Sequence, residues 1–476
     1  MKLLFLTSDY LTQPLGAAYL SAAVRERGHS TEVAALPDTG RQKMLLRRFR
    51  PDFLCLSLTT GQHSAFLSRA RHIKKEYPRL LVLAGGPHPT FYPEFVHERG
   101  VDAVCRGEGE TALPAMMDAF ARTGVLPERA ANWWIKQPDG SVAEGEVGPL
   151  IEDLDMLPSP DRDLFDRAQG NVRRHTVFVM ASRGCPYKCS YCFNHAYQEL
   201  YRGKGTMCRR RSVGNLMEEL RALKCRYPSL QIVVFQDDTF NLNREWLREF
   251  SERYPREIGL PFHCHLRANL LDDETAGLLR RAGCLSVKMG LEAGREYVRN
   301  GILNRSMSLA DFETASGLLH KYGIRFAIEN ILAIPGSSTD DDFYTYEVNR
   351  RSRPQFCFAS LMQVYPGTRI SEYAARHGLA GNSRMVFPST FYRDSDLRID
   401  EQKLRGRLRS LFALGVSLSL PVPLMRKLAG LPLRGLYECL DRLWKGYRLR
   451  FRIYPYRQDF WGFLRDTRQY LLNRHY

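Results

Sequence analysis

Three cysteines, Cys185, Cys189 and Cys192, stand in Ala181-Ser-Arg-Gly-Cys-Pro-Tyr-Lys-Cys-Ser-Tyr-Cys-Phe-Asn194 with the spacing C-x3-C-x2-C. Thiolates hold iron–sulfur clusters, and four normally saturate a cubane. Three this close can ligate three irons and leave the fourth open to a ligand. Thr176-Val-Phe-Val-Met-Ala181 upstream is apolar and partly β-branched, the pattern of a buried strand. Gly184 and Pro186 then break it into a loop. The cysteines are thus expected at the C-terminal end of a strand, where α/β folds place chemistry. A zinc site is the competing reading, since Cys185, Cys189, Cys192 and His195 make a three-Cys, one-His set. Four ligands within so short a stretch would be cramped, because zinc sites more often draw two ligands from each of two loops. Burial of unligated thiols is disfavoured by the polar Lys188 and Ser190 between them.

The elements that must position this loop follow from the next 200 residues. Strands are expected at Thr176–Ser182, Gln231–Phe235, Pro261–Leu266, Cys284–Met289, Arg325–Ile334 and Phe356–Val364, with helices between them. Six strands with six helices suggest an open barrel of βα units with function at the C-terminal strand ends. Those ends carry Gln236-Asp-Asp238, Arg267 with Asn269, Glu292, Glu329 with Asn330, and Gln363. A ring of polar groups around one mouth predicts a polar, charged ligand. For Asp237 and Asp238 the plainer reading is that one of them caps the helix starting near Asn243.

The cysteine triplet, with aromatic Tyr191 just before the third cysteine, resembles the signature of the radical S-adenosylmethionine (radical SAM) superfamily. The resemblance runs the length of this domain. Val233-Val-Phe-Gln-Asp-Asp-Thr-Phe-Asn241 resembles the second-strand segment that meets the amino group of SAM, and Gly290-Leu-Glu-Ala-Gly294 the fourth-strand segment near its ribose. Ile331-Leu-Ala-Ile-Pro-Gly336 and Tyr365-Pro-Gly-Thr368 resemble the fifth- and sixth-strand ends. It implies a partial (β/α)6 TIM-like barrel, a [4Fe-4S] cluster on Cys185, Cys189 and Cys192, and SAM held by Tyr191, Phe193, Gln236, Asp237, Arg267, Glu292 and Asn330. Carboxylates such as Asp237 suit an ammonium, Arg267 suits a carboxylate, and Glu292 can accept from ribose hydroxyls.

Residues 1–125 alternate strand and helix as well. Strands are expected at Lys2–Thr7, Thr31–Ala35, Asp52–Leu58, Leu80–Ala84 and Asp102–Arg106, and helices at Gly16–Arg27, Ala65–Tyr77 and Thr111–Ala121. Such alternation predicts a Rossmann-like, doubly wound parallel sheet. Thr7-Ser8, Ser57, Thr59-Thr60-Gly61, Gly85-Gly-Pro-His-Pro89 and Gly107-Glu-Gly-Glu110 follow its strands and line its binding edge. The absence of G-x-G-x-x-G after the first strand disfavours a dinucleotide. Pro14-Leu-Gly-Ala-Ala-Tyr-Leu20, Arg25-Glu-Arg-Gly-His29, Gly85-Gly-Pro-His-Pro-Thr90 and Arg106-Gly-Glu-Gly-Glu110 resemble the cobalamin-binding domain that precedes many radical SAM domains. The resemblance implies cobalamin held by Ser8, Leu15, Gly16, Ser57, Thr59, Gly85, Gly86, His88, Gly107 and Glu108. Cobalamin mutases carry D-x-H-x-x-G, whose His ligates cobalt. The chain lacks that string, so no imidazole is expected under the metal, and His88 reads better as a hydrogen-bonding loop residue. Trp133-Trp-Ile-Lys-Gln-Pro-Asp-Gly-Ser141 reads as a hairpin, and the proline-rich, acidic stretch around Pro149–Asp161 as a linker. The expected divisions are residues 1–147, a linker at 148–170, the radical SAM domain at 171–385 and a mostly helical, basic segment at 386–476.

The 476 residues suggest two or three domains, with 44% hydrophobic and 25% charged residues of ordinary globular composition. The eleven cysteines are odd in number and show no disulfide framework, which points to a reducing, cytoplasmic setting. The apolar opening is short and ends at Asp9, so it reads as a first strand rather than a leader. No apolar run is long enough to span a bilayer. The net charge of +17 is concentrated late: residues 401–476 hold 16 Lys or Arg against 5 Asp or Glu. Helices are expected at Leu404–Leu420 and Arg434–Tyr447. This segment reads first as a solvated basic face packed on the barrel, and in that case as a structural cap over the active-site mouth. It could instead contact a membrane or lipid substrate peripherally, or bind nucleic acid, the last disfavoured for want of a motif.

Together the resemblances imply a cobalamin-dependent radical SAM enzyme. The expected reaction is transfer of methyl from methylcobalamin to an unactivated carbon of a small molecule or lipid, after hydrogen abstraction by a 5′-deoxyadenosyl radical. An external one-electron donor of flavodoxin or ferredoxin type is implied. The alternatives are a cobalamin-dependent radical SAM cyclase or rearrangement enzyme and, from another class, a zinc-stabilised nucleic-acid-binding module. A methylthiotransferase would need a second cysteine triplet, and residues 1–184 offer only Cys55 and Cys105.

Overall fold

The structure is a computed structural model that describes residues 1–10, 13–170, 174–365, 367–379, 395 and 397–457. The chain divides into two compact units. One comprises Met1–Val172 with Ala196–Arg209, and the other Arg173–His195 with Arg210–Tyr476.

The first unit is built on β1 (Lys2–Thr7), β2 (Ser30–Ala35), β3 (Phe53–Ser57), β4 (Leu81–Gly85), β5 (Ala103–Cys105), β6 (Trp133–Lys136) and β7 (Val142–Glu144). Their order is β2-β1-β3-β4-β5-β6-β7. The first five are parallel, and β6 and β7 add an antiparallel hairpin. A parallel sheet is covered on both faces, so its strands run apolar throughout. In β1, Leu3 and Phe5 join the core on one face while Leu4 and Leu6 join the core on the other. The chain leaves β1 in one direction and β3 in the other, which opens a crevice at their C-terminal ends. The helix Thr39–Arg48 was not anticipated. Its residues are mostly polar and only Gln42, Leu45 and Leu46 are buried, but Asp38 caps it by accepting from the Arg41 N–H at 3.0 Å. The stretch 148–170, expected as a linker, is packed into this unit. Asp161 accepts from the Ser21 hydroxyl at 2.7 Å, and Leu164 and Phe165 lie in the same core as Leu3 and Phe5.

The second unit has six parallel strands in chain order: Thr176–Val179, Ile232–Phe235, Phe262–Leu266, Cys284–Glu292, Arg325–Leu332 and Phe356–Leu361. The first ends earlier than expected, at Val179, and Ala181 onward leads into the cysteine loop. Strand faces that meet the outer helices supply its core, among them Val233, Phe235, Val287, Met289 and Phe326.

The carboxy-terminal helices Gln402–Ser417, Val422–Gly430 and Arg434–Arg448 belong to this unit. Arg405 is 1% exposed and pairs with buried Asp342 at 2.7 Å. The following residues close the barrel at its N-terminal end. Ser286 Oγ donates to the Ile453 carbonyl at 2.8 Å, Arg325 Nη1 donates to the Arg452 carbonyl at 3.1 Å, and Gln231 exchanges two hydrogen bonds with the Arg457 backbone. His263 meets the Tyr454 ring edge-on at 4.8 Å. Each partner stands near the start of its strand, so this segment packs on the barrel as expected but at its floor, and not as a cap over the mouth. Part of the basic excess is therefore structural. Removing one partner of a buried ion pair strands the other, so Arg405→Ala should cost about 3–5 kcal/mol in urea denaturation. Arg426→Ala, which breaks an exposed pair with Asp340, should cost less than about 1 kcal/mol.

Candidate functional site: a three-thiol loop and a Rossmann edge

The cysteine loop leaves the first barrel strand at Ala181. Cys189 is buried, and Cys185 and Cys192 are half-buried. Burial pushes the Cys192 thiol up to about 12 and the Cys185 thiol up as well. Without a cation these sulfurs stay protonated, so binding iron must release their protons. His195 cannot complete a zinc set in this arrangement. Its Nε2 accepts from the Arg369 N–H at 3.2 Å, which fixes the proton on Nδ1, and Nδ1 donates to the Cys189 carbonyl at 3.1 Å. Among the described residues no three His, Cys, Asp or Glu side chains converge on one point as a mononuclear ion requires. A cubane asks for no such convergence, because it spreads its thiolates over separate irons. Three thiols with a fourth donor withheld fit that cluster.

Buried side chains from the other strand ends anchor the loop. Asp237 is fully buried; one carboxylate oxygen accepts from the Ala181 N–H at 3.1 Å and the other from the Ser182 hydroxyl. Burial pushes this carboxyl up, against the pull of Arg210. The group expected to meet an ammonium is thus occupied with joining the first two strands. Neither Asp237 nor Asp238 caps the next helix, whose cap is Asn243, accepting from the Trp246 N–H at 2.9 Å. Asp238 is exposed and accepts from Asn194 at 3.3 Å. Gln236 is half-buried at the same strand end.

Arg267 is 5% exposed, and its guanidinium lies 3.4 Å from the centroid of the Tyr187 ring. One Nη reaches to 4.0 Å from Cys189 Sγ while the other donates to the Arg305 and Ser306 carbonyls. Its backbone is fixed by Asn241, whose amide both gives and accepts a hydrogen bond at 3.1 Å. Half-buried Tyr191 forms a triad with buried Glu292 and Arg305. The Tyr191 hydroxyl donates to Glu292 Oε1 at 3.0 Å, and Arg305 lies 3.2 Å from that carboxylate and 2.5 Å from the Tyr191 oxygen. Burial raises both Tyr191 and Glu292, with Arg305 opposing it. Glu292 has a φ of 63°, and a Cβ at Gly290 would come within 2.5 Å of an Arg305 nitrogen, so the glycine admits the triad. Phe193 packs at 5.3 Å from Tyr365. Asn330 sits elsewhere: its amide pairs with that of Asn349 at 3.0 and 2.7 Å inside the wall, so its polar atoms are spent on structure. Arg305, Tyr187 and Asn241 were absent from the expected set. Tyr187 lay between the cysteines as a visible signal, whereas nothing local marks Arg305 or Asn241.

In the first unit, Ser8, Ser57, Thr59 and Gly85 are exposed or half-exposed at the C-terminal strand ends. Leu15 and Gly16 open the helix Leu15–Glu26, and nothing lies within 4 Å of where a Gly16 Cβ would be. Hydroxyls around such open backbone fit a large, amide-fringed ligand. Gly86, by contrast, is needed for packing: at φ 97°, its Cβ would be 2.8 Å from the Leu58 carbonyl. Gly107 makes room for Tyr201, whose hydroxyl would be overlapped by a side chain there. Glu108 is held bidentately by Arg209 at 2.9 Å and accepts from the Ile151 N–H. The expected loop at 85–89 runs into a short helix, Pro87–Phe91. In it His88 is buried, stacked on His63 at 4.1 Å and on Tyr92 at 5.0 Å, and bonded through Nδ1 to Thr60 at 3.1 Å. Burial lowers its pKa to about 3. These contacts give His88 a packing role.

Residues 1–117 match the B12 binding domain, and residues 179–345 match the radical SAM superfamily. The chain belongs to the cobalamin-dependent radical SAM enzymes, and its cofactors are a [4Fe-4S] cluster, SAM and cobalamin. It is 28% identical to an uncharacterized methyltransferase of Pyrococcus horikoshii, over 77% of this chain and 79% of that protein. It is 24% identical to an anaerobic magnesium-protoporphyrin IX monomethyl ester cyclase of Rubrivivax gelatinosus, over 77% and 68%. It is 26% identical to a hopanoid C-3 methylase of Methylococcus capsulatus, over 75% and 67%. Among solved structures, the cobalamin-dependent S-adenosylmethionine radical enzyme OxsB superposes with a TM-score of 0.68 at 15% identity, over 98% of this chain and 75% of its own, which shows the fold.

Two predictions follow from the geometry. After anaerobic reconstitution, Cys185→Ala, Cys189→Ala and Cys192→Ala should each lose the full cubane and SAM cleavage, whereas His195→Ala should keep the cluster. Iron and sulfide analysis checks both. Electron paramagnetic resonance of bound cob(II)alamin should show no splitting from an axial nitrogen, and His88→Ala should leave that spectrum unchanged.

Proposed function

We propose that this enzyme transfers a methyl group to an unactivated carbon of a small-molecule or lipid substrate. What carries the reading is a three-thiol site with its fourth donor withheld, in a chain that also has a cobalamin domain and methyltransferase relatives. When bound, the cluster and SAM supply one-electron hydrogen abstraction, and cobalamin supplies a transferable methyl group.

The chain's own residues bind and orient. Cys185, Cys189 and Cys192 would hold the cluster, leaving one iron for SAM. Asp237 fixes the exit of the first strand through Ala181 and Ser182. Arg267 braces the loop from the third strand, through Tyr187. The triad places the Tyr191 ring and the Glu292 carboxylate at the fourth strand end, where Glu292 can accept from SAM hydroxyls. Positioning of this kind makes reaction effectively intramolecular. An external reductant of flavodoxin or ferredoxin type would feed the cluster. Eleven free cysteines suit a cytoplasmic setting, and the basic carboxy-terminal segment suits a peripheral place at the membrane.

The cyclase relative favours a second reading, cyclisation or rearrangement without methyl transfer. Product analysis under strict anaerobiosis separates the two. Methyl transfer predicts S-adenosylhomocysteine and 5′-deoxyadenosine in equal amounts, with label from [methyl-d3]-SAM in the product. Formation of 5′-deoxyadenosine with no S-adenosylhomocysteine would instead establish the second reading.

A further inference from the structure

The helix Arg434–Arg448 turns two charged residues inward and a row of leucines outward. Its inward face carries Tyr437, Asp441, Trp444 and Lys445. Tyr437 donates to the Leu428 carbonyl at 2.8 Å, Asp441 holds Arg409 at 2.9 Å, and buried Lys445 lies 5.6 Å from the Phe358 ring. The outward face carries Leu436, Leu440, Leu443 and Tyr447, and the run continues to Phe451. Their spacing of four, three, four and four residues makes a single stripe. These five side chains are 53%, 36%, 53%, 44% and 44% exposed. Scattered exposed leucines are ordinary. A contiguous apolar stripe on the wrong face of an amphipathic helix marks a surface that something covers.

Charge identifies the covering. Residues 418–457 hold nine Lys or Arg against two Asp or Glu; Lys445 is buried and Arg426 pairs with Asp340, while Lys427 and Arg452 are exposed. A second copy of this chain would bring the same excess of positive charge against it. An anionic surface is complementary. A surface that is also apolar just beneath its charges accommodates leucines and aromatic rings together with long basic side chains, whose stems lie along the apolar layer while their heads reach the charge. No helix among the described residues is long and apolar enough to cross a membrane, so the contact would be peripheral.

We propose that this helix face lies on an anionic phospholipid bilayer. The leucine stripe enters the interfacial layer and the flanking arginines meet the headgroups. Binding by this face needs no turnover, so it stands or falls apart from methyl transfer.

The full-length, cluster-loaded protein should be floated with vesicles of phosphatidylglycerol in phosphatidylcholine. It should bind at about 0.05 M salt and be released as salt rises to about 0.5 M. Vesicles of phosphatidylcholine alone should retain far less. The triple variant Leu436→Asp/Leu440→Asp/Leu443→Asp should partition at least about tenfold less, with its melting temperature and SAM cleavage in solution unchanged. Should the aspartates lower the melting temperature, Leu440→Ala/Leu443→Ala reads the same surface with a smaller loss. The proposal is overturned if the wild type ignores phosphatidylglycerol, or if the variants bind as it does. It is overturned equally if the wild type is a dimer that the leucine variants split and neither form binds vesicles.

Discussion

A carboxylate with no access to water holds the cysteine loop to the barrel. Asp237 accepts from the Ala181 N–H and the Ser182 hydroxyl, so the exit of the first strand is pinned to the end of the second. Burying a carboxyl is costly unless its oxygens are satisfied. Any slip of the loop would leave those oxygens bare, so the cost of burial becomes a restoring force. The other anchors repeat the device. Arg267 lies on Tyr187 while donating to backbone carbonyls, and Arg305 sits between Glu292 and Tyr191. Three strand ends thereby grip an eight-residue loop, Cys185–Cys192, that has little core of its own.

That arrangement explains which features could be read from the chain and which could not. Spacing is local, so C-x3-C-x2-C and the aromatic at Tyr191 are visible, and so are strands such as Leu3–Leu6 that run apolar because both faces are covered. The roles of polar residues are not local. Asp237, Asn330 and Glu108 stand at the positions expected to meet ligands, yet their partners, Ala181, Asn349 and Arg209, lie 56, 19 and 101 residues away. Nothing in a short window distinguishes a strand-end carboxylate that faces a ligand from one that ties two strands together. The helix Thr39–Arg48 escaped for a related reason. Its identity rests on one capping aspartate and two buried leucines in an otherwise polar stretch.

The barrel floor shows the same dependence on distant partners. His175, His263 and Ser286 are polar residues at strand starts, where apolar packing would ordinarily suffice. They make sense once Tyr454, Tyr456 and the Ile453 carbonyl are set against them. The carboxy-terminal segment is thus part of the catalytic unit's interior, and its charges are recruited into that role through Arg405–Asp342 and Arg409–Asp441.

This recruitment sets the cost of the inverted helix. Rotating Arg434–Arg448 to bury Leu436, Leu440 and Leu443 would gain on the order of 1.5–3 kcal/mol per leucine fully buried. It would also pull Asp441 from Arg409, and a broken buried pair costs about 3–5 kcal/mol. Three leucines would gain about 4.5–9 kcal/mol, at least as much as that pair costs, so the inward pair does not compel the outward positions to be apolar. Glutamate or lysine at 436, 440 and 443 would satisfy the same inward face and give an ordinary soluble surface. Domains are stable by only about 5–15 kcal/mol, and exposed leucines add nothing to that margin while inviting association. The stripe is therefore not a by-product of the packing beneath it, and its explanation lies in what the outer face meets.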